Sequence, residues 1–212
     1  MSPLDQDLHQ ITTSLVRMLS LVRESSELAK EALVHADIAA GERCIENDKL
    51  VDDLQDRLEH QILSIIARRQ PAAKDLRFLG AAHWALVDIE RAGDHTVHVA
   101  RIGIALAAEP PLKKYLDSER ILTIISLMID TTIKALSEAN LEAAHEAHAM
   151  DTEIDNLYEQ IQRELLTYMM ENPKTINKAA KLISMSRHLE RMGDHIENVN
   201  EHIMFWLSGK RI

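Results

Sequence analysis

Apolar residues recur at threes and fours along most of this 212-residue chain, the spacing that lines one face of an α-helix. Leu4, Leu8, Ile11, Leu15, Met18 and Val22 form a first stripe, and Val51, Leu54, Leu58, Ile62 and Ile65 a second. Gln70-Pro71 closes the second, because a residue before proline is pushed out of the helical region. A third stripe runs through Leu76, Leu79, Ala82, Leu86, Ile89, Gly93, Thr96 and Ala100, and Glu109-Pro110-Pro111 then breaks the chain near its middle. The second half repeats the same order. Ile121, Ile125, Met128 and Thr132 open it, then Ile154, Leu157, Ile161 and Leu165 up to a break at Asn172-Pro173. Ile176, Ala179, Leu182, Leu189, Gly193, Ile196 and Ile203 complete it.

The two halves are copies. The hexapeptide from Glu90 to His95, Glu-Arg-Ala-Gly-Asp-His, returns from Glu190 to His195 as Glu-Arg-Met-Gly-Asp-His, an offset of 100 residues. The stripe that begins at Val51 returns at Ile154 with an offset of 103 residues. The difference falls around the Pro71 and Pro173 links, where changes of length are tolerated. The pattern predicts an all-α protein of two tandem, pseudo-symmetric three-helix bundles. Its six long helices should each run about 25–35 residues, roughly 40–50 Å, with short links that make neighbours antiparallel. Each half carries its own full set of apolar stripes, which favours two bundles over one six-helix barrel. Residues 1–109 would form the first unit and 110–212 the second, with Pro110-Pro111 at the boundary.

Composition narrows the picture. Aromatics are only 3% of residues against 46% hydrophobic, with 6 Gly and 5 Pro, which suits long helices packed by aliphatic side chains rather than a turn-rich sandwich or barrel. The formal charge of −10 offers no basic surplus to replace phosphate counterions, so non-specific nucleic-acid binding is disfavoured. Cys44 is the single cysteine, which excludes an intrachain disulfide and a thiolate zinc site. The first residues lack the basic start and apolar run of a signal peptide, and the most apolar windows, 121–129 and 102–108, are far short of a membrane span. The expected location is the cytoplasm, with any membrane association made through partners.

The candidate chemistry lies in acid pairs at i, i+4: Asp48/Asp52, Glu90/Asp94, Asp151/Asp155 and Glu190/Asp194. Residues four apart share a helix face. In each half the two pairs flank neighbouring seams and can face each other across a groove. Four carboxylates that close repel, so some must protonate or recruit cations. Oxygen-only ligation suits hard ions such as Mg²⁺, Mn²⁺, Ca²⁺ or iron. Taken singly, each pair is a solvated helix face, with Arg91/Asp94, Arg191/Asp194 and Arg187/Glu190 as local partners. Recurrence at matched positions favours a metal site. Gly93 and Gly193 lie on the apolar seams, although a helical glycine costs about 1 kcal/mol relative to alanine. Close approach of a neighbouring helix accounts for them, and such packing would hold the adjacent carboxylates. His98 and Asn198 occupy matched positions four after each Asp and read first as surface polar groups. His95 and His195 point about 100° away from the carboxylates, toward second-sphere groups or a helix neighbour. Trp84, Phe205 and Trp206 read as core or interface residues.

Two copies of Glu-Arg-x-Gly-Asp-His, each preceded by a helix bearing Asp-x-x-x-Asp, resemble the PhoU family of phosphate-signalling regulators. The run from Gln70 through Arg77 is similar to that family's link between second and third helices, and the resemblance spans essentially the whole chain. It implies tandem three-helix bundles, often as a homodimer, with no catalytic activity. It implies a negative regulator that dampens phosphate-starvation signalling when phosphate is plentiful, acting between a phosphate ABC transporter and a membrane sensor histidine kinase. It implies divalent or trivalent metal ions held by oxygen ligands (iron, Mn, Mg or similar), sometimes as multinuclear clusters. Carried onto this chain, the ligands are Asp48, Asp52, Glu90 and Asp94 in the first half and Asp151, Asp155, Glu190 and Asp194 in the second. Two features depart from the family. His98 stands where an Asn is usual, whereas Asn198 fits, and the Asn172-Pro173-Lys174 link lacks the form of the first. The two sites are therefore expected to differ in metal affinity or nuclearity.

Two other readings stay open from the residues. A ferritin-like diiron oxidase needs two Glu-x-x-His motifs on different helices, and Glu142-Ala-Ala-His145 supplies one without a matched partner. A metal-free helical scaffold would leave all the acid pairs as solvated faces.

Overall fold

The computed structural model describes residues 2–210, and every regular element among them is helical. α1 (Pro3–Val34) starts on a capping box in which Ser2 and Asp5 satisfy each other's backbone N–H, and Pro3 sits in the first turn, where its missing donor costs nothing. The Asp37 side chain caps α2 (Ile38–Arg69) at the Ala40 N–H, and α2 stops on Gln70 in the left-handed conformation, directly before Pro71. α3 (Ala73–Leu106) runs back antiparallel: a side chain at position 41 would meet Ile104, and one at position 93 would meet Asp48 and Val51.

The second half repeats this with one difference. α4 (Leu116–Glu138) is followed by α5 (Leu141–Ala149), α6 (Asp151–Glu171), one 3₁₀ turn (Pro173–Thr175) and α7 (Ile176–Ser208). The helix expected to match α2 is thus interrupted at Met150, whose N–H bonds to Ala147 O and tightens the chain by one residue. Asn140 begins it, its side chain accepting from the Ala143 N–H. α4 has 23 residues and α6 has 21, shorter than the pattern predicted. The interruption falls immediately before Asp151, so the first carboxylate of the second half opens a helix, whereas its counterpart Asp48 lies inside one.

α1, α2 and α3 pack on one another, as do α4, α6 and α7, with α5 bridging α4 and α7. The two bundles then join along α3 against α7 and α1 against α4. One aliphatic core is continuous through both, from Leu15, Leu19 and Leu86 to Ile125, Leu189 and Ile196. α3 supplies this second interface because it is apolar beyond a single stripe: Ala81, Ala82, Ala85, Ala92 and Val99 are buried beside Leu79, Leu86 and Ile89. Small side chains along it let α7 approach closely. Polar groups also meet across this seam, Asp88 and His95 from α3 with His188 and His195 from α7.

Candidate metal centres

Each half brings its acid pairs together as the spacing requires. In the first, Asp48 and Asp52 of α2 face Glu90 and Asp94 of α3. Asp48 Oδ1 is buried and accepts no hydrogen bond. Burial, with the charges of Asp52 and Asp94, pushes the Asp48 carboxyl up to about 6. Burial and its acidic neighbours also raise Asp52 and Glu90. Nearby Arg101 works the other way on Asp48 without reversing the shift.

The second half is tighter. Carboxylate oxygens of Asp151, Asp155 and Asp194 all lie within 4.8 Å of one another, a spacing at which one cation can bridge all three. Asp151 is 5% exposed and its Oδ1 has no hydrogen-bond partner. Burial first, then Glu197, Asp155, Asp194 and Glu190, drives its carboxyl to about 7. Glu190 Oε2 is likewise buried without a hydrogen bond, and the adjacent Arg191 Nε is 3.5 Å away. Of the local pairs expected from sequence, Arg191 with Asp194 forms at 3.2 Å; among the described residues, Arg91 and Arg187 make no ion pair. Arg191 is thus a partial counter-charge for this cluster, on one side only.

Orphaned buried carboxylate oxygens on converging helices fit a hard cation, because an ion supplies the missing partner and relieves the repulsion together. Asp48, Asp52, Glu90 and Asp94 could hold one site. Asp151, Asp155, Glu190 and Asp194 could hold the other. Gly193 is what makes room in the second. A Cβ there would stand 2.5 Å from Asp151 Oδ1 and 3.0 Å from Ile154. At Gly93 the nearest atoms, including Asp48 Oδ1, are at 3.6 Å, ordinary contact.

Glu197 belongs to no repeated acid pair, yet of the charges around Asp151 it has the largest effect. It lies three residues past Asp194 on the same face, and the matching position of the first half is Val97. Its own carboxyl is raised by burial, while His148 of α5, 3.4 Å away, opposes the shift. Asp88 carries no sequence signal at all. It accepts from His195 Nδ1 at 2.9 Å, His202 Nε2 at 2.9 Å and Asn198 Nδ2 at 3.3 Å. Burial alone would raise it, but these donors and the His202 charge hold its carboxyl down to about 2. His195 therefore contacts a helix neighbour, as its direction predicts, and Asn198 serves Asp88. His95 meets His188 across the same seam, Nδ1 to Nδ1 at 3.0 Å. Burial and the facing imidazoles lower His95 to about 4, and burial lowers His188. Trp206 packs on Phe78 with ring centroids 4.8 Å apart, whereas Trp84 is 40% exposed.

The family model described as "PhoU domain" matches twice, over residues 15–103 and 119–203, one match in each half. The chain belongs to the PhoU family. It is 42% identical over 210 residues to a protein of Deinococcus radiodurans named "Phosphate-specific transport system accessory protein PhoU homolog", covering 98% of each chain. A protein of the same name from Aquifex aeolicus is 33% identical over 186 residues, covering 88% of this chain and 84% of its own. The crystal structure of PhoU from Pseudomonas aeruginosa superposes with a TM-score of 0.93 at 30% identity, covering 97% of this chain and 99% of that one. PhoU from Streptococcus pneumoniae, a phosphate transport system regulatory protein, has the same fold with a TM-score of 0.90 at 23% identity. Among the described residues no helix is long and apolar enough to cross a membrane.

Proposed function

We propose that this PhoU-family chain is an accessory regulator of a phosphate-specific transport system, and that it works as a metal-loaded adaptor. In this reading it dampens phosphate-starvation signalling when phosphate is plentiful. It acts at the inner face of the membrane between a phosphate ABC transporter and a sensor histidine kinase, as a homodimer, and each chain divides at Pro110-Pro111 into units 1–109 and 110–212. The end-to-end match to relatives named as phosphate-specific transport accessory proteins supports the role. The observation that carries the metal is the second cluster, where three carboxylates converge around a buried oxygen that accepts no hydrogen bond.

The ions would be hard ones, iron, manganese or magnesium, held by Asp48, Asp52, Glu90 and Asp94 and by Asp151, Asp155, Glu190 and Asp194. Bound there, they would neutralise two acidic grooves and so change the charge presented to a docking partner. A ferritin-like oxidase has little support. Glu142 and His145 are exposed on α5 and belong to neither carboxylate cluster.

The role is tested by deleting the gene in its source organism and measuring phosphate-regulated alkaline phosphatase in high phosphate. Activity that switches on, and is silenced again by the wild-type gene, is the expected result. Activity that stays off, with phosphate uptake unchanged, refutes the regulatory role. The metal is tested separately by elemental analysis of the purified protein. Asp94→Ala with Asp194→Ala should reduce bound metal with helix content intact, and unchanged stoichiometry would remove these residues as essential ligands.

A further inference from the structure

The seam between α3 and α7 gathers four imidazoles that the carboxylate sites do not use. His95 and His98 come from α3, and His188 and His195 from α7. The rings form a continuous file. His98 stacks on His188 with centroids 4.5 Å apart and planes at 13°, His188 lies 5.2 Å from His95, and His95 stacks on His195 at 5.5 Å and 16°. We propose that this quartet is a second kind of metal site, one for a borderline transition-metal ion such as Zn²⁺ or Cu²⁺, which would fasten one bundle to the other.

Spacing points to it first. His95 Nδ1 and His188 Nδ1 are 3.0 Å apart. Two imidazole ligands about 2.0–2.1 Å from one ion, at angles of roughly 90–110°, have their nitrogens about 3.0–3.4 Å apart. As the rings stand, these two donors are at ligand spacing; His98 supplies a third by turning about its side-chain bonds, and His195, stacked on His95 and held by Asp88, offers Nε2 as the fourth. His98 is free to turn because it is exposed.

Orientation supports it as well. His195 is tied through Nδ1 to Asp88 at 2.9 Å. When that nitrogen carries the proton, Nε2 keeps its lone pair, and a carboxylate behind a histidine in this way both fixes the tautomer and strengthens the ligand. Asp88 is itself held by His202 and Asn198, so the orienting group is fixed on the seam.

Access and donor type complete the case. His95 and His98 line a surface recess of about 350 Å³ with Glu90, Arg91 and Asp94, an entry path for a hydrated ion. Four nitrogens select differently from the oxygen clusters: imidazole suits zinc, copper and nickel, whereas carboxylates suit magnesium, calcium and manganese. One chain would thus hold two classes of ion a few residues apart. The imidazole site does not depend on whether the carboxylate clusters bind metal.

The test uses the full chain stripped with chelator and titrated with Zn²⁺ alone by calorimetry. A parallel sample receives one equivalent of Cu²⁺ for electron paramagnetic resonance. A variant with Asp48→Asn and Asp151→Asn separates the sites. The expected result is one Zn²⁺ per chain in that variant, with Cu²⁺ hyperfine structure from at least three nitrogens. His188→Gln should weaken Zn²⁺ at least tenfold, and His98→Gln, at an exposed position that leaves the fold intact, should remove one coupled nitrogen and weaken Zn²⁺ to a similar extent. Zn²⁺ affinity unchanged in both His98→Gln and His195→Gln overturns the proposal. So does a Cu²⁺ signal with oxygen ligands only, or the absence of Zn²⁺ binding in the carboxylate variant.

Discussion

Gly193 leaves the space that Asp151 occupies: a Cβ at residue 193 would lie 2.5 Å from Asp151 Oδ1. The repeat position Gly93 leaves 3.6 Å to Asp48 Oδ1. Two glycines in identical motifs should therefore respond oppositely to alanine. Gly93→Ala gains helix propensity, up to about 1 kcal/mol, with ordinary contacts, and should be neutral or stabilising. Gly193→Ala must displace a buried carboxylate and crowd Ile154, at a cost of about 1–3 kcal/mol, and should lower metal occupancy of the second site. Urea denaturation and elemental analysis of the two variants check this. Equal loss in both would show that the glycines serve only the helix seam.

Asp151 should make the metal-free protein sensitive to alkali. Its carboxyl titrates at about 7 in the folded chain against an ordinary value of 3.8. Between those values the folded state holds a proton that the unfolded state has lost, so this group's contribution falls as pH rises through that window. The loss is complete above about pH 7 and amounts to a few kcal/mol. His95, lowered from 6.5 to about 4, works in the opposite direction, since an imidazole held neutral favours folding as pH rises from about 4 to 6.5. Wild-type melting alone therefore mixes the two. The difference between Asp151→Asn and wild type isolates the carboxyl: the variant's advantage in chelator should grow from about pH 5 to pH 7.5. Asp48→Asn should show the same trend ending lower, near 6. Added Mn²⁺ should stabilise wild type more at pH 7.5 than at pH 6, because the ion must displace the proton. A variant advantage that does not change with pH would exclude a raised Asp151.

The architecture is legible in the sequence because its signals are long and repeated. Proline-marked links and a motif recurring after 100 residues define two copies of one unit, and Asp48, Asp94, Asp151 and Asp194 come from helical spacing alone. The interruption at Met150 is not legible, since no proline or glycine marks it and the apolar stripe resumes in register at Ile154. Asp88 and Glu197 stay hidden for a related reason. Their partners stand on other elements, 107 residues away for Asp88 and His195, and a pairing across the α3–α7 seam leaves no periodic trace. The apolar stripes by themselves describe two separate bundles, whereas one core runs through both.

Arg191 would compete with a metal ion proposed for the second cluster. Its Nη1 is 3.2 Å from Asp194 and its Nε 3.5 Å from Glu190, and its side chain is nearly half exposed. An exposed pair of this kind contributes about 0–1 kcal/mol to folding, so Arg191→Met should cost little stability. Removing a fixed positive charge from beside the site should tighten Mn²⁺ binding severalfold there and leave the first site unchanged. Calorimetric titration in the Asp48→Asn background reads the second site by itself. Weaker binding in Arg191→Met would mean that the guanidinium positions the carboxylates rather than competing for them.

Asp88 should be worth more to folding than any exposed ion pair, because it is a mostly buried carboxylate with three donors. Hydrogen bonds to a charged group each contribute about 1.5–3 kcal/mol, and breaking a set that shares one acceptor is not additive. Asp88→Ala should cost about 2–4 kcal/mol, leaving His195, His202 and Asn198 without their acceptor on the interface between halves. The sign with pH comes from the carboxyl being held near 2 against an ordinary 3.8: its contribution is present above about pH 4 and is lost as pH falls toward 2. The gap in stability between wild type and Asp88→Ala should therefore narrow in acid. Asp88→Asn keeps the shape but places an amide where two imidazole donors converge, so it should recover part of the loss at neutral pH and none of the acid dependence. A gap that stays constant from pH 7 to pH 3 would mean that packing, not the charge of Asp88, joins α3 to α7.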